Sequence, residues 1–232
     1  MYLQLKEKRQ ETEGVISFIF EPEKPIEWQA GQYIHYVLHH LPTDDRGSDR
    51  WFTNSAAPFE KNIRITTRNS GEKGSSFKKK LFSLEVDGWI EISVVEGDFI
   101  VEDPEKNYVF LAGGIGVTPY RSILVQLNHD KKPINVTLLY ANSDQSVVYR
   151  EELEEIAKNN PNFKIHYIYS PEHIDESKIR ELVPDINPPA GGPIFYVSGP
   201  EPMVEALVEL LKKMGIKEEN IKHDSFPGYK AF

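Results

Sequence analysis

The 232-residue chain contains no cysteine. This absence excludes disulfide bonds, thiolate-held iron–sulfur clusters and cysteine-based zinc sites within the chain. Apolar runs as long as the roughly 18 residues of a membrane-spanning helix are also missing. Residues 1–6 alternate apolar and polar side chains, as a strand does, and do not resemble a signal peptide. No membrane span is predicted, and the expected location is the cytoplasm.

The chain has fewer positive than negative side chains: 27 Lys and Arg against 36 Asp and Glu, which gives a formal net charge of −9. Nucleic acid is therefore not expected as a partner, because its phosphates would be repelled at long range. Among the seven histidines only His39 and His40 are adjacent, and no nearby carboxylate spacing indicates a metal site. The composition, 39% hydrophobic and 27% charged, is that of a folded globular chain and argues against disorder.

The first hundred residues show the pattern of an antiparallel β-structure. Short β-branched or aromatic segments, separated by glycine turns, predict strands at residues 15–20, 32–38, 62–68 and 89–95. A helical pattern at residues 75–84 interrupts them. The prediction is an antiparallel β-barrel with one inserted helix.

The second half alternates buried strands with helices. Continuous apolar runs predict strands at residues 109–112, 136–140, 165–169 and 194–197, and helical patterns fall at 119–127, 149–158, 176–182 and 202–214. This order predicts a doubly wound parallel α/β domain. The polar stretch at residues 102–107 places the boundary, giving domains 1–103 and 104–232.

A glycine-rich turn connects the first strand and first helix of the α/β half. Gly113, Gly114 and Gly116 allow the backbone to approach a pyrophosphate closely, and the helix that follows offers free N–H groups to the anion. Thr118 and Pro119 open that helix, where the missing N–H of proline costs nothing. The turn predicts dinucleotide binding.

The spacing Gly-Gly-x-Gly-x-Thr-Pro resembles the nucleotide-binding half of the ferredoxin–NADP reductase superfamily. Four more segments resemble that superfamily in the same order and extend the likeness to nearly the whole chain: residues 50–53 (Arg-Trp-Phe-Thr), 74–77 (Gly-Ser-Ser-Phe), 196–203 (Tyr-Val-Ser-Gly-Pro-Glu-Pro-Met) and 221–229. The resemblance implies a two-domain flavoenzyme with an N-terminal flavin domain and a C-terminal NAD(P) domain.

The resemblance also assigns the flavin-binding residues. Within the motif that includes Trp51, Arg50 is expected to bind the flavin diphosphate, Phe52 to pack on the isoalloxazine ring and Thr53 to place its hydroxyl near N5. The chemistry suits these residues, since a guanidinium matches phosphate geometry and an aromatic face complements the ring. The backbone of Gly74, Ser75 and Ser76 is expected to meet the diphosphate, which favours FAD over FMN.

Two further segments are expected at the nicotinamide. Ser198, followed by Gly199 and Pro200, stands where relatives carry a cysteine beside the nicotinamide C4. Near the C-terminus the resemblance implies an acidic residue, Asp224, acting close to the flavin. An aromatic lid over the flavin is also implied, supplied by Phe226 or by Tyr229.

The loop after the second α/β strand bears on the choice of nicotinamide. It contains Asp144, which would repel a 2′-phosphate, and no Lys or Arg before Arg150. NADH is therefore favoured over NADPH, with Tyr149 as a candidate adenine contact. A basic residue from elsewhere in the fold would reverse this preference.

The predicted reaction is hydride transfer from NAD(P)H to bound FAD, followed by electron transfer to a separate acceptor, either a ferredoxin-like protein or a small molecule. Two alternatives remain: a reductase subunit that is active only within a larger redox complex, and a nucleotide-binding regulatory module without flavin. An unrelated short-chain dehydrogenase is disfavoured, because the first half is a barrel and no Tyr-x-x-x-Lys pair lies at a suitable place.

Overall fold

The computed structural model describes residues 1–183, 186 and 192–226 of the chain. The strands of the first half are β1 (Tyr2–Thr12), β2 (Val15–Pro22), β3 (Tyr33–Val37), β4 (Asp49–Thr53), β5 (Ile63–Arg68) and β6 (Trp89–Glu96), with helix α1 (Ser76–Ser83) between β5 and β6. The second half runs β7 (Tyr108–Gly113), α2 (Thr118–His129), β8 (Val136–Asn142), α3 (Arg150–Asn159), β9 (Lys164–Tyr169), α4 (Glu176–Leu182), β10 (Ile194–Pro200), α5 (Glu201–Lys213) and β11 (Ile221–Phe226).

The first half is a six-stranded antiparallel sheet in the order β4-β3-β6-β1-β2-β5. Its inward side chains alternate with exposed ones, as Ile34 and Tyr36 of β3 illustrate at 0% exposure. Helix α1 covers the open side by burying Phe77 and Leu81 completely against the same core. Burial of each such side chain contributes roughly 1.5–3 kcal/mol. The predicted antiparallel barrel with one inserted helix is confirmed.

The second half is a five-stranded parallel sheet in the order β11-β10-β7-β8-β9. All six residues of β7 are buried, which explains its continuous apolar sequence. The chain runs outward from β7 to β8 and β9, and the later strands β10 and β11 lie on the other side of β7. The direction of winding therefore reverses between β7 and β10, and open α/β sheets bind ligands beyond the carboxyl ends of the strands at such a point.

Helix α2 is anchored beneath this point by aromatic packing. The ring of Tyr120 stacks on that of Phe110 with their centroids 4.5 Å apart. The Tyr120 hydroxyl donates to the carbonyls of Leu111 (3.1 Å) and Tyr196 (2.8 Å), on the two strands that flank the reversal. The start of α2 is therefore fixed relative to both strands. The predicted domain boundary at residue 103 falls between β6 and β7.

Among the helices that the structure describes, none combines the length and the apolar character of a membrane span.

Candidate functional site

A cavity of about 520 Å³ opens where the two sheets face each other. We call it the flavin cavity, after the ligand that the sequence resemblance leads us to expect there. Its walls come from β4, the end of β5, the start of α1, the glycine turn and β11. The lining residues used below are Arg50, Trp51, Phe52, Thr53, Gly74, Ser75, Ile115, Thr118 and Asp224. The fold thus brings together segments separated by more than 170 positions in the sequence.

Arg50 lies at one end of the flavin cavity with part of its guanidinium unused. Its Nη1 donates to the carbonyl oxygens of Arg46 (2.6 Å) and Asp49. Its Nη2 is buried and has no hydrogen-bond partner among the described residues, and the nearest carboxylate oxygen, on Asp44, is 3.6 Å away. A desolvated N–H without a partner is costly, so this atom suits an anionic ligand such as a diphosphate.

The first turn of α1 forms the neighbouring part of the wall. Ser75 caps the helix, its Oγ accepting from the backbone N–H of Lys78 at 3.2 Å. Ser76 does not line the cavity. Its backbone N–H donates to Asp44 Oδ2 at 2.8 Å, and its Oγ accepts from the Asp44 N–H at 3.0 Å. This backbone hydrogen bond is the main reason why the pKa of Asp44 falls to about 2. The helix start therefore already holds one negative charge.

Phe52 and Trp51 lie on opposite faces of β4. Phe52 is half-buried, with its ring 5.8 Å from that of Phe77 and 6.0 Å from that of Tyr36. Trp51 points to the outer face, where it is 46% exposed and packs edge-on against Tyr33. Both contribute to the cavity wall.

Thr53 and Asp224 line the flavin cavity, and Ser198 lies beside Asp224 on the neighbouring strand. Thr53 is 4% exposed and Ser198 is fully buried, and neither hydroxyl has a hydrogen-bond partner among the described residues. Ser198 pairs with Asp224 in the register of β10 and β11, and Asp224 Oδ2 is likewise unpartnered. Burial raises the pKa of Asp224 to about 6, the nearby Thr53 hydroxyl opposes the rise, and Asp98 adds to it. The polar atoms of Thr53 and Asp224, the two of these residues that line the cavity, indicate a place for a polar ligand.

The C-terminal residues expected at the flavin are only partly described. Phe226 is the last residue of β11 and pairs with Pro200 in register. Tyr229 lies outside the described residues, so the choice between the two as the lid stays a prediction.

A second cavity, of about 380 Å³, lies beyond the carboxyl ends of β7, β8, β9 and β10. We call it the nucleotide cavity. Its lining residues include Arg68, Gly113, Gly114, Ile115, Gly116, Asn142, Ser143, Ser146, Glu172, His173, Pro200 and Met203. Ile115 lines both cavities and separates them.

The glycine turn requires glycine for steric reasons. A Cβ added at Gly116 would lie 2.2 Å from the backbone oxygen of Ser198, and real side chains do not approach so closely. Gly114 has a φ of 50°, in the left-handed region that favours glycine. Thr118 begins α2, its Oγ1 donating to the Ile115 carbonyl at 3.0 Å. Pro119 is buried in the first turn of α2 and lines neither cavity.

Pro200 forms part of the wall of the nucleotide cavity beside the glycine turn, whereas Gly199 lines neither cavity. A Cβ at Gly199 would lie 3.2 Å from backbone atoms of Gly113, so the two turns are packed closely together. Pro200 lines the nucleotide cavity directly, whereas Ser198 lines neither cavity.

Two residues expected at the adenosine end lie elsewhere. Asp144 caps its own loop, accepting from the Ser146 N–H at 2.8 Å, and does not line the nucleotide cavity. Tyr149 is 6% exposed; its hydroxyl donates to Thr66 of the flavin domain, and its ring lies under the Arg121 guanidinium at 5.2 Å. Tyr149 is therefore held in the contact between the two halves and is not free to meet an adenine.

Arg68 is a site residue that the sequence analysis missed. It ends β5 in the flavin domain and reaches the nucleotide cavity. Its charge acts on Tyr140, whose hydroxyl donates to the Gly114 carbonyl at 3.0 Å, so Arg68 lies near the glycine turn. An isolated arginine at the end of a strand carries no sequence signal for this placement. Glu172, after β9, was missed for the same reason.

Across residues 1–183, 186 and 192–226, no three His, Asp or Glu side chains come together as a set that could hold a metal ion.

Comparisons with known proteins identify a matching family and several similar chains. The profile of the family described as "Oxidoreductase NAD-binding domain" matches residues 110–209. A flavohemoprotein from Burkholderia sp. (strain TH2) is 26% identical over 238 residues, which are 94% of this chain and 57% of the relative. One component of the Na(+)-translocating NADH-quinone reductase from Idiomarina loihiensis is 31% identical over 183 residues, 72% of this chain and 45% of the relative.

Among solved structures, the cytochrome b5 reductase domain of Ulva prolifera nitrate reductase superimposes with a TM-score of 0.79 at 25% identity. The match covers 96% of each chain. By contrast, the chain spans about half the length of the curated relatives that it matches.

Proposed function

Because the chain belongs to the ferredoxin–NAD(P) reductase superfamily, we propose that it takes a hydride from NAD(P)H onto bound FAD and passes the electrons to a separate acceptor. The observation that carries the proposal is the shared wall at Ile115. Two ligands that fill the two cavities would meet across this one side chain. Hydride transfer needs donor and acceptor atoms about 3–3.5 Å apart, and adjacent cavities allow this approach.

The flavin cavity fits FAD through its unsatisfied polar atoms. Arg50 Nη2 would hold the diphosphate beside Gly74 and Ser75, and Phe52 would contribute an apolar surface beside the ring. The Ser76 N–H is already bonded to Asp44, so the expected contact of Ser76 with the diphosphate is not part of the proposal. When bound, FAD supplies the two-electron chemistry that no side chain can perform. FMN, with its single phosphate, would use less of this wall.

The protein's own part is to position and polarise the reacting groups. The Thr53 hydroxyl and the Asp224 carboxylate line the flavin cavity close to each other, and Ser198 lies beside Asp224 at the end of β10. Asp224, with its pKa near 6, holds or releases a proton within the physiological range. Thr53 and Ser198 are buried, which limits the access of water to their hydroxyls.

NADH stays the proposed donor. Arg68 lies beside the glycine turn, where it can meet the pyrophosphate, and Glu172 lines the same cavity after β9. Glu172 is paired with Lys178 Nζ at 2.5 Å, so its charge is compensated and does not by itself discriminate against a 2′-phosphate. The preference for NADH therefore rests on the loop at residues 141–149, which contains no Lys or Arg to bind a 2′-phosphate.

The identity of the acceptor divides the proposal into two forms. In the first the chain reduces a ferredoxin-like protein or a small molecule by itself. In the second it is a subunit active only in a larger redox complex, a form favoured by the relatives in which this region makes up about half of the chain. Turnover by the isolated protein with NADH and a small artificial acceptor, but not with free redox proteins, would favour the second form.

The first test is an absorbance spectrum of the purified protein, followed by anaerobic addition of NADH or NADPH. We expect flavin bands that are lost at a concentration of NADH at least tenfold lower than that of NADPH. A colourless protein that takes up no added FAD would overturn the proposal and leave a nucleotide-binding regulatory module. Equal bleaching by both donors would overturn the preference alone.

Substitution of Gly116 separates the roles of the two cavities. Gly116→Ala is expected to retain flavin but to lower the rate of NADH-driven bleaching at least tenfold, because its Cβ would meet the Ser198 oxygen at 2.2 Å and displace the turn. Such overpacking costs about 1–3 kcal/mol. The control is Gly215→Ala, where no heavy atom lies within 4 Å of the added Cβ but the φ of 86° disfavours alanine. This variant should lose stability and still bleach at the wild-type rate, which separates backbone strain in general from displacement of the turn. Bleaching of Gly116→Ala at the wild-type rate would contradict the assigned role of the turn.

A further inference from the structure

Arg121 of α2 is a buried charge in the contact between the two halves of the chain. It is 2% exposed, and its five N–H donors make five hydrogen bonds. Nη1 donates to the Ser55 carbonyl (2.7 Å) and Glu60 Oε2 (2.9 Å), Nη2 to Glu60 Oε1 (3.1 Å) and Glu152 Oε1 (2.7 Å), and Nε to Glu152 Oε2 (2.7 Å). Ser55 and Glu60 belong to the flavin domain, so the guanidinium joins both halves.

More contacts lie on the same face of α2. Ser122 Oγ donates to the Ala56 carbonyl at 2.6 Å, and Gln126 Oε1 accepts from the Phe59 N–H at 3.0 Å. His129 stacks on the Phe59 ring, with the centroids 3.8 Å apart. Spacings of three and four residues place these side chains along one stripe of the helix. We call this set of contacts between α2 and residues 55–60 the interdomain latch.

The position of the latch links it to the reaction. Residues 55–60 follow almost directly after Thr53 in the flavin cavity, and α2 begins at Thr118, directly after the glycine turn. The latch therefore holds residues 55–60, which follow the β4 wall of the flavin cavity, against α2, which follows the glycine turn of the nucleotide cavity. Contacts between domains generally permit relative motion, and a misplacement of about 1 Å can cost a hydride transfer two orders of magnitude.

From these contacts we infer that Arg121 is a positioning residue that sets the separation of the nicotinamide and flavin sites by locking α2 to residues 55–60. The inference rests on the proposed function for its kinetic consequence, but its geometric content is independent of it. Arg121 touches neither cavity, so it acts through Ser55, Glu60 and the start of α2.

The kinetic test measures flavin reduction at saturating NADH in a single turnover, expressed per bound flavin. Arg121→Met is expected to lower this rate constant at least tenfold, while flavin content and the dissociation constant of NADH change less than threefold. Arg121→Lys, which keeps the charge, is expected to recover part of the loss. A merely structural role would lower the amount of flavin-loaded protein and leave the rate constant unchanged.

A geometric test needs no turnover. Because the chain has no cysteine, cysteines introduced at the exposed Lys79 and Glu209 would carry the only spin labels, one on each half. We expect a narrow label-to-label distance distribution with wild-type Arg121 and a broad one with Arg121→Met. The combined variant Ser122→Ala and Gln126→Ala, which creates no buried charge, should broaden it to a smaller degree.

The control is Arg180→Met, which removes an arginine paired with Glu176 on α4 and 52% exposed. It should match the wild type in both measurements. The inference would be overturned if, for Arg121→Met, both the width of the label-to-label distance distribution and the rate constant of flavin reduction lay within twofold of the wild-type values. Failure of wild-type protein to be reduced by NAD(P)H would instead overturn the proposed function, and the distance measurement would still decide the latch.

Discussion

Asp224→Asn is expected to stabilise the flavin-free protein against urea by an amount that grows with pH. The gain relative to wild type should widen by about 2–3 kcal/mol between pH 4 and pH 8. Its cause is the burial that raises the pKa of Asp224 from 3.8 to about 6. The measurement is equilibrium urea unfolding of both proteins at several pH values.

The sign follows from proton binding. Between pH 4 and pH 6 the folded protein keeps the Asp224 proton while the unfolded chain has lost it, so raising the pH favours the unfolded chain. Above pH 6 the buried carboxylate is ionised and its full cost is present. Asparagine has the same shape and no charge to desolvate, so the variant escapes this cost. Three titratable groups interact electrostatically with Asp224, and the substitution leaves them in place: Asp98, Tyr33 and Tyr120.

A suitable control is Glu205→Gln, which removes a carboxylate from the exposed side of α5. Its stability curve should run parallel to that of wild type at every pH. A parallel curve for Asp224→Asn as well would show that Asp224 is not the buried acid that the structure describes.

Arg50→Met is expected to weaken FAD binding by about 30- to 150-fold. The substitution removes a charge-assisted hydrogen bond worth about 1.5–3 kcal/mol. It also relieves the flavin-free protein of a buried Nη2 without a partner, which stabilises the unbound state and weakens binding further. Riboflavin, which has no phosphate, should bind with nearly unchanged affinity. Quenching of flavin fluorescence on titration with apoprotein measures both constants.

Riboflavin serves as the control for FAD, because it has the same ring and no phosphate for Arg50 to bind. Arg180→Met, on the surface of α4, should leave both affinities unchanged. Equal losses for FAD and riboflavin would place Arg50 away from the diphosphate, and a loss of less than threefold for FAD would remove it from the site.

The pattern of residues within short segments was sufficient to predict most of the fold. The buried strand β7 and the glycine turn after it are set by residues adjacent in sequence, so their type and limits were predictable. Residues 50–53 were identified only as a flavin motif and not as part of strand β4. The residues there and their polar neighbours show no alternation of apolar and polar side chains that would predict a strand. The strand character of β4 comes from pairing with β3, a contact that no short window contains.

The site was less predictable than the fold because its members belong to different halves. Arg68 reaches the nucleotide cavity only when the flavin domain docks on the α/β domain. Tyr149 follows a loop that suits an adenine, but docking buries its ring and commits its hydroxyl to Thr66. Asp44 illustrates the same limit, since its bond to Ser76 spans 32 positions of sequence.

The interdomain latch has a consequence for recombination among relatives. Residue 103 lies between the two sheets, so a crossover there interrupts no strand or helix. It would nevertheless separate Arg121 from Glu60 and leave each chimera with an arginine or a carboxylate buried opposite a foreign surface. Exchange of nucleotide-binding halves should therefore succeed only when residues 55–60 are transplanted with the half that carries α2.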